Sequence, residues 1–180
     1  MAFLVVSSSL NPNSRSRCLA RAAFARLEAS GIEAEYVDLQ EYSLPLCDGS
    51  AAYAHPAVGT LAQRIREAEG IVYGVPVYNF GAGATAKNLI ELTGSSWSEK
   101  VVGFLCAAGG NRSYMAVMGL ANSLMLDFRA IIVPRFVYAN DSAFRGDEVA
   151  DEKILRRIEE LVTTVVRFAR ALNPLPERPR

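Results

Sequence analysis

Phe3-Leu-Val-Val-Ser-Ser-Ser-Leu-Asn-Pro-Asn-Ser-Arg-Ser16 opens the first strand–loop–helix unit of the chain. Four apolar residues run into a loop of hydroxyl and amide side chains, and a helical pattern begins directly behind it. A strand that empties into such a loop at a helix N-terminus makes an anion site. The first N–H groups of the helix lack intrahelical acceptors, and the helix dipole adds partial positive charge at the same place. Ser7, Ser8, Ser9, Asn11, Asn13, Ser14 and Ser16 supply side-chain donors, and Arg15 and Arg17 supply charge. A phosphate carried by a cofactor suits this loop.

Strands and helices alternate onward from that unit. The patterning predicts a strand over residues 2–7, a helix over 14–30 closed by Gly31, and a strand over 33–39 whose acidic residues mark a sheet edge. An irregular stretch over 40–56 precedes a short helix with Val58, Leu61, Ala62 and Ile65 on one stripe. Residues 70–77 are almost continuously apolar and read as a strand buried on both faces. A Gly-rich loop over 78–84 leads to a helix over 85–93. A fourth buried strand over 101–107 ends in Gly109-Gly-Asn-Arg-Ser113. A Met-rich helix then reaches Asp127. A fifth strand over 130–138 contains Pro134, which cannot donate to a ladder and so places it at an edge. The last helix, over 148–171, carries Ile154, Ile158, Leu161 and Val165 on one stripe, and the tail from Pro174 is expected to fray.

Five strands alternating with five helices make a three-layer α/β sandwich around a parallel sheet. Putting the two edge-like strands outermost gives the order 2-1-3-4-5, a flavodoxin-like fold. A Rossmann half-domain order would expose the apolar third strand at an edge. With 180 residues the chain is expected to be one domain over 1–173, followed by the tail 174–180.

Lys and Arg balance Asp and Glu at 19 each, which argues against nucleic-acid or membrane-surface partners. There is no apolar run of membrane-spanning length and no signal-peptide core behind Met1, so a cytoplasmic location is expected. Cys18, Cys47 and Cys106 are odd in number and widely spaced, favouring neither a disulfide framework nor a zinc site.

In a parallel sheet of this order ligands bind beyond the carboxyl ends of the strands, at the switch between the first and third. The unusual loops over 8–16, 76–84 and 107–114 all fall at that end. Their residues resemble the NADPH-dependent FMN reductase family. Ser9-Leu-Asn-Pro-Asn-Ser14-Arg-Ser16 is similar to its phosphate loop, with Ser8 standing where many members have Gly. Pro76-Val-Tyr-Asn79, followed by Lys87-Asn-Leu-Ile-Glu-Leu92, resembles its Pro-x-Tyr-Asn flavin loop and the helix behind it. The segment from Trp97 to Gly110 is similar to its next strand and small-residue loop.

The resemblance implies that Ser9, Ser14, Arg15 and Ser16 hold the phosphate of FMN. It implies that Pro76, Val77, Tyr78, Asn79 and Phe80 run along the flavin ring, and that Gly109, Gly110 and Asn111 border its pyrimidine side. It further implies an FMN-dependent oxidoreductase that takes hydride from NADPH or NADH and passes electrons to a small-molecule acceptor: a free flavin, quinone, azo compound or metal oxyanion. A flavin-dependent monooxygenase is a candidate partner, and a homodimer or homotetramer is expected. Because the cofactor performs the hydride chemistry, no protein acid or base is required. A flavodoxin-type electron carrier and a flavin-free regulatory or assembly protein are the competing classes.

Other residues carry weaker readings. His55, the sole histidine, has no obvious partner for base catalysis and reads as a loop residue. Cys106 reads as inert core. No Gly-x-Ser-x-Gly elbow or phosphate-binding Gly-x-x-x-x-Gly-Lys loop is present. Met115, Met118 and Met125 read most simply as core, with a helix–helix dimer face as the alternative. Arg112 reads equally as a solvated helix cap or as a ligand for NADPH phosphates.

Overall fold

A computed structural model describes residues 2–172. The expected fraying of residues 174–180 lies outside the described residues. Strand β1 (Phe3–Ser7) is buried along its whole length and pairs in parallel with β2 (Ala34–Asp38) on one side and β3 (Ile71–Tyr78) on the other. Strand β4 (Val101–Ala107) pairs in parallel with β3. The sheet order is β2-β1-β3-β4, closed by two short segments beside β4. These are β5 (Ile131–Ile132) and β6 (Val137–Ala139), which pair through Val101 with Ile131 and Leu105 with Val137.

The flavodoxin-like order 2-1-3-4-5 therefore holds, with the fifth position shared by two pieces. One unbroken strand was expected there. Between the pieces Pro134 has no N–H to give, and Arg135 turns to a positive φ of 62°. An edge position tolerates that break because only one neighbour loses its ladder.

Helices α1 (Arg15–Ala29) and α5 (Glu152–Leu172) cover one face, setting Leu19, Leu27, Ile158 and Val165 against Val5, Val72 and Leu105. Helices α2 (Pro56–Glu67), α3 (Ala84–Thr93) and α4 (Met118–Phe128) cover the other, setting Leu61, Leu89 and Leu124 against Val6, Tyr73 and Phe104. Successive strand residues thus alternate between two cores, as period-two geometry demands. Gly74 brings α1 down onto β3. A Cβ there would lie 3.2 Å from Ser16 O, Ala20 Cβ and Val6 O, so the first turn of α1 rests almost on the strand backbone.

Three local expectations need correction. Helix α5 begins at Glu152 because Glu148–Val149 pairs antiparallel with Phe144–Arg145 around Gly146, at φ 56°. Helix α4 begins at Met118 behind a 3₁₀ turn over Tyr114–Val117. The methionines of that turn and of α4 are not core. Met115, Met118 and Met125 are 62%, 38% and 40% exposed, while Leu120, Ala121 and Leu124 take the inward positions. His55 has a structural role, its Nδ1 accepting from Ala57 N–H at 3.3 Å to cap α2 ahead of Pro56.

Candidate functional site

The carboxyl ends of β1, β3 and β4 open into a cleft of about 400 Å³. Its walls are Asn11, Asn13, Ser14, Arg15 and Ser16 from the first loop, Pro76, Val77 and Tyr78 from the second, Ala107, Ala108 and Gly109 from the third, and Asp141 behind β6. The size lies in the ~300–1,000 Å³ range of small-molecule sites, and the place is the β1/β3 switch point. A similar cavity of about 440 Å³ sits at the broken sheet edge, between Pro134, Arg135 and Phe136 and helix α5. It takes only Tyr114 from the three loops, so the switch-point cleft is the functional candidate.

In the first loop Ser14 is the N-cap of α1, its hydroxyl accepting from Arg17 N–H at 3.3 Å. Ser14 Oγ and Ser16 Oγ lie 2.9 Å apart, both residues buried and both on the cleft wall. The N–H groups of Arg15 and Ser16 fall in the first turn, where a helix offers no acceptor. Ser9 is placed differently. It is buried, off the cleft wall, and its hydroxyl accepts from Asn11 N–H at 3.3 Å to shape the turn. Ser8 fits the turn: its N–H and its hydroxyl both donate to Gly74 O, at 3.0 and 2.7 Å, tying the loop to β3. Arg15 lines the cleft but donates to Gly146 O, with its guanidinium 5.3 Å from the Phe144 ring.

The second loop closes as a hairpin, where only a Gly-rich loop was expected. Val77 and Tyr78 pair antiparallel with Ala82 and Gly81. The two residues between them, Asn79 and Phe80, have φ of 50° and 62°. A two-residue hairpin needs positive φ at both centres. Asn accepts this readily, whereas Phe pays roughly 1–2 kcal/mol for it. Gly83 closes the unit by donating to Pro76 O at 2.7 Å, and a Cβ there would strike Pro76 Cγ at 2.8 Å. Tyr78 and Phe80 end with 54% and 68% of their surface exposed, Tyr78 on the cleft wall and Phe80 in the turn beside it.

In the third loop a Cβ on Gly109 would meet nothing within 4 Å, so the residue leaves its share of the cleft open. Gly110 O accepts from the Tyr138 hydroxyl, and Asn111 Oδ1 accepts from Asn140 Nδ2. Gly110, Asn111 and Arg112 are exposed and do not line the cleft. Burial pushes the Cys106 thiol up to about 12, and burial also raises Cys18, so both are neutral packing groups. Among the described residues no cluster of His, Cys, Asp or Glu is grouped to hold a metal.

The family model described as NADPH-dependent FMN reductase matches residues 1–144. The chain belongs to that family. It is an oxidoreductase whose cofactor is FMN and whose co-substrate is NAD(P)H, which sets aside the electron-carrier and flavin-free readings. An NADH-dependent FMN reductase from Pseudomonas putida is 28% identical, covering 92% of this chain and 91% of that one. An NADPH:quinone oxidoreductase from Arabidopsis thaliana is 26% identical, over 93% and 91% of the two chains. The solved structure of a flavoenzyme NAD(P)H:(acceptor) oxidoreductase from Paracoccus denitrificans shares the fold at a TM-score of 0.77, with 22% identity over 94% and 97% of the chains.

The residues present fit FMN: hydroxyl and first-turn N–H donors at one end of the cleft, and a slot between a hairpin and a glycine loop at the other. Sequence reasoning singled out Ser14, Arg15, Ser16, Pro76, Val77, Tyr78 and Gly109, and the structure brings these together. It leaves Ser9, Asn79, Phe80, Gly110 and Asn111 beside the cleft and not on its wall. Asp141 on the wall was missed, although its place behind a strand's carboxyl end is the signal that could have found it. Also missed was the role of Arg17, buried beneath the first loop.

Proposed function

We propose that this one flavodoxin-like domain binds FMN in the switch-point cleft, takes hydride from NADPH or NADH there, and hands electrons to a small quinone or free flavin. The observation that carries this reading is the convergence of the buried Ser14–Ser16 hydroxyl pair with the Tyr78 and Gly109 walls in one cleft of mononucleotide size. FMN supplies the hydride chemistry when bound. Ser14, Ser16 and the first-turn N–H groups of α1 hold the phosphate, and Arg15 adds charge at the rim. Pro76, Val77 and Tyr78 run along the ring, with Asn79 and Phe80 in the turn beside them, and Gly109 borders its pyrimidine edge, with Gly110 and Asn111 next to it. The relatives named as quinone oxidoreductase and FMN reductase support the choice of acceptor. An azo compound, a metal oxyanion or a flavin-dependent monooxygenase fed by the product are the alternatives that an acceptor screen with both nucleotides ranks. Visible spectroscopy of the purified protein, followed by FMN titration of the apoprotein, tests the reading at its root: a protein that takes up no FMN defeats it.

Asn79 separates a turn role from a ring role. Leucine at φ 50° would strain the hairpin whatever the side chain does, whereas glycine keeps the turn and removes only the amide. Asn79→Gly should therefore melt within about 1 kcal/mol of the parent while flavin reduction by NADPH slows. An unchanged stopped-flow rate per bound FMN takes Asn79 off the ring.

The protein is expected to act in the cytoplasm as a homodimer or homotetramer. Among the described residues no helix is long and apolar enough to cross a membrane. The apolar face for self-association comes from α4 and the turn before it, through Met115, Met118, Met125 and Leu126, the last 75% exposed. Helix α3, by contrast, presents the ion pair Lys87–Glu91. A strict monomer in sedimentation at micromolar concentration contradicts the assembly.

A further inference from the structure

Arg17 lies one residue beyond Ser16 and is only 5% exposed, yet the proposed chemistry gives it nothing to do. Every nitrogen of its guanidinium is engaged. Nε donates to Asp38 Oδ2 and Nη2 to Asp38 Oδ1 at 3.2 Å. Nη1 donates to the carbonyl oxygens of Asn11 and Pro12 at 2.6 and 3.0 Å, and Nη2 to that of Ser9 at 3.0 Å. Asp38 sits opposite Ser7 at the end of β2, where it also accepts from Gln40 N–H at 3.1 Å. The pair is neutral overall, so it offers a phosphate little net attraction. Burying such a pair is also weak grounds for stability by itself.

What the geometry does accomplish is to fasten three loop carbonyls to the sheet edge. A carbonyl oxygen aimed at a phosphate would repel it. In a planar trans peptide, moreover, the carbonyl and the following N–H point in opposite directions. Drawing Ser9 O inward therefore turns the N–H of Leu10 outward. Only a planar fork with several fixed donors can hold a carboxylate and three carbonyls at once, which a lysine ammonium cannot do.

We propose that Arg17, aimed by Asp38, is a positioning residue that holds loop 9–13 in its anion-accepting form without touching the anion, and thereby sets the preference for FMN over riboflavin. This rests on the FMN reading above. Apoprotein of the parent, Arg17→Lys and Asp38→Asn is titrated with FMN and with riboflavin, which lacks the phosphate, and each apoprotein is melted. Both variants should bind FMN about tenfold or more weakly, with riboflavin affinity within about twofold of the parent, so that the FMN-to-riboflavin ratio collapses. An unchanged ratio overturns the proposal whether or not the melting temperature falls, since a merely structural Arg17 would lower stability and leave selectivity alone. Asp38→Asn keeps the shape of the side chain and provides the test should Arg17→Lys fail to fold. A parent protein that binds neither ligand overturns the FMN reading and this inference together, whereas a parent that prefers FMN with unaltered variants overturns this inference alone.

Discussion

Alanine at Ser14 and Ser16 together should leave a folded apoprotein that binds FMN about 100-fold or more weakly. A hydrogen bond to a charged group contributes about 1.5–3 kcal/mol, so two hydroxyls on one phosphate contribute roughly 3–6 kcal/mol, at about 1.4 kcal/mol per tenfold in affinity. The low end of that range is the expectation, because Ser14 Oγ and Ser16 Oγ are 2.9 Å apart and neighbouring groups seldom add in full. Ser14 also caps α1, and losing that cap costs about 1 kcal/mol of folding stability. Melting the apoprotein measures the cap, and fluorescence titration of FMN measures the phosphate bonds. Ser9→Ala is the contrast. Its hydroxyl accepts from Asn11 N–H inside the turn, so its loss should weaken FMN several-fold less than the double change. Equal affinities for the parent and the double variant would move the phosphate elsewhere.

The contrast between Ser9 and Ser14 shows where sequence reading reached its limit. Burial patterns are local and periodic, so the apolar run at Ile71–Tyr78 and the alternating Ala34–Asp38 gave the sheet order directly. The three loops then had to meet, because parallel strands carry their carboxyl ends to one side. Which hydroxyl faces the cleft depends on a turn that Arg17 sets by reaching Asp38, 21 residues away, and nothing in the spacing announces that bond. The hairpin at Tyr78 was hidden for another reason. Phe80 is a poor residue for positive φ, so a turn that Asn-Gly would have advertised is instead held by the Val77–Ala82 pairing and by Gly83 on Pro76. The methionines of α4 follow a helical stripe that could face either way. Leu120 and Leu124 occupy the inward positions.

The same separation of fold from site governs the second large effect, at Trp97. Its side chain is fully buried, with the ring 5.4 Å from that of Tyr73, which lies 6.2 Å from Phe104. Its Nε1 donates to Thr93 Oγ1 at 2.7 Å, and that hydroxyl donates on to Leu89 O at 2.6 Å. Tyr73 in turn donates to Ala86 O at 2.9 Å, so α3 is fastened to the sheet near both of its ends. Trp97→Ala should cost about 3–5 kcal/mol in lost burial and cavity, a large part of the roughly 5–15 kcal/mol that holds a domain folded. Denaturant melts of the apoprotein measure this, and a loss under about 1 kcal/mol would mean that the core under α3 collapses around the gap. FMN should still protect the variant. Trp97 acts at the far end of α3 from the cleft, and the Tyr73–Ala86 bond keeps the near end seated. At about 100 times its dissociation constant, FMN adds roughly 2.7 kcal/mol to parent and variant alike. The same FMN concentration should add almost nothing to the Ser14 and Ser16 double variant, whose apoprotein is the more stable of the two. If Trp97→Ala also loses the protection, the cleft is shaped from the core beneath α3 and not by its own loops.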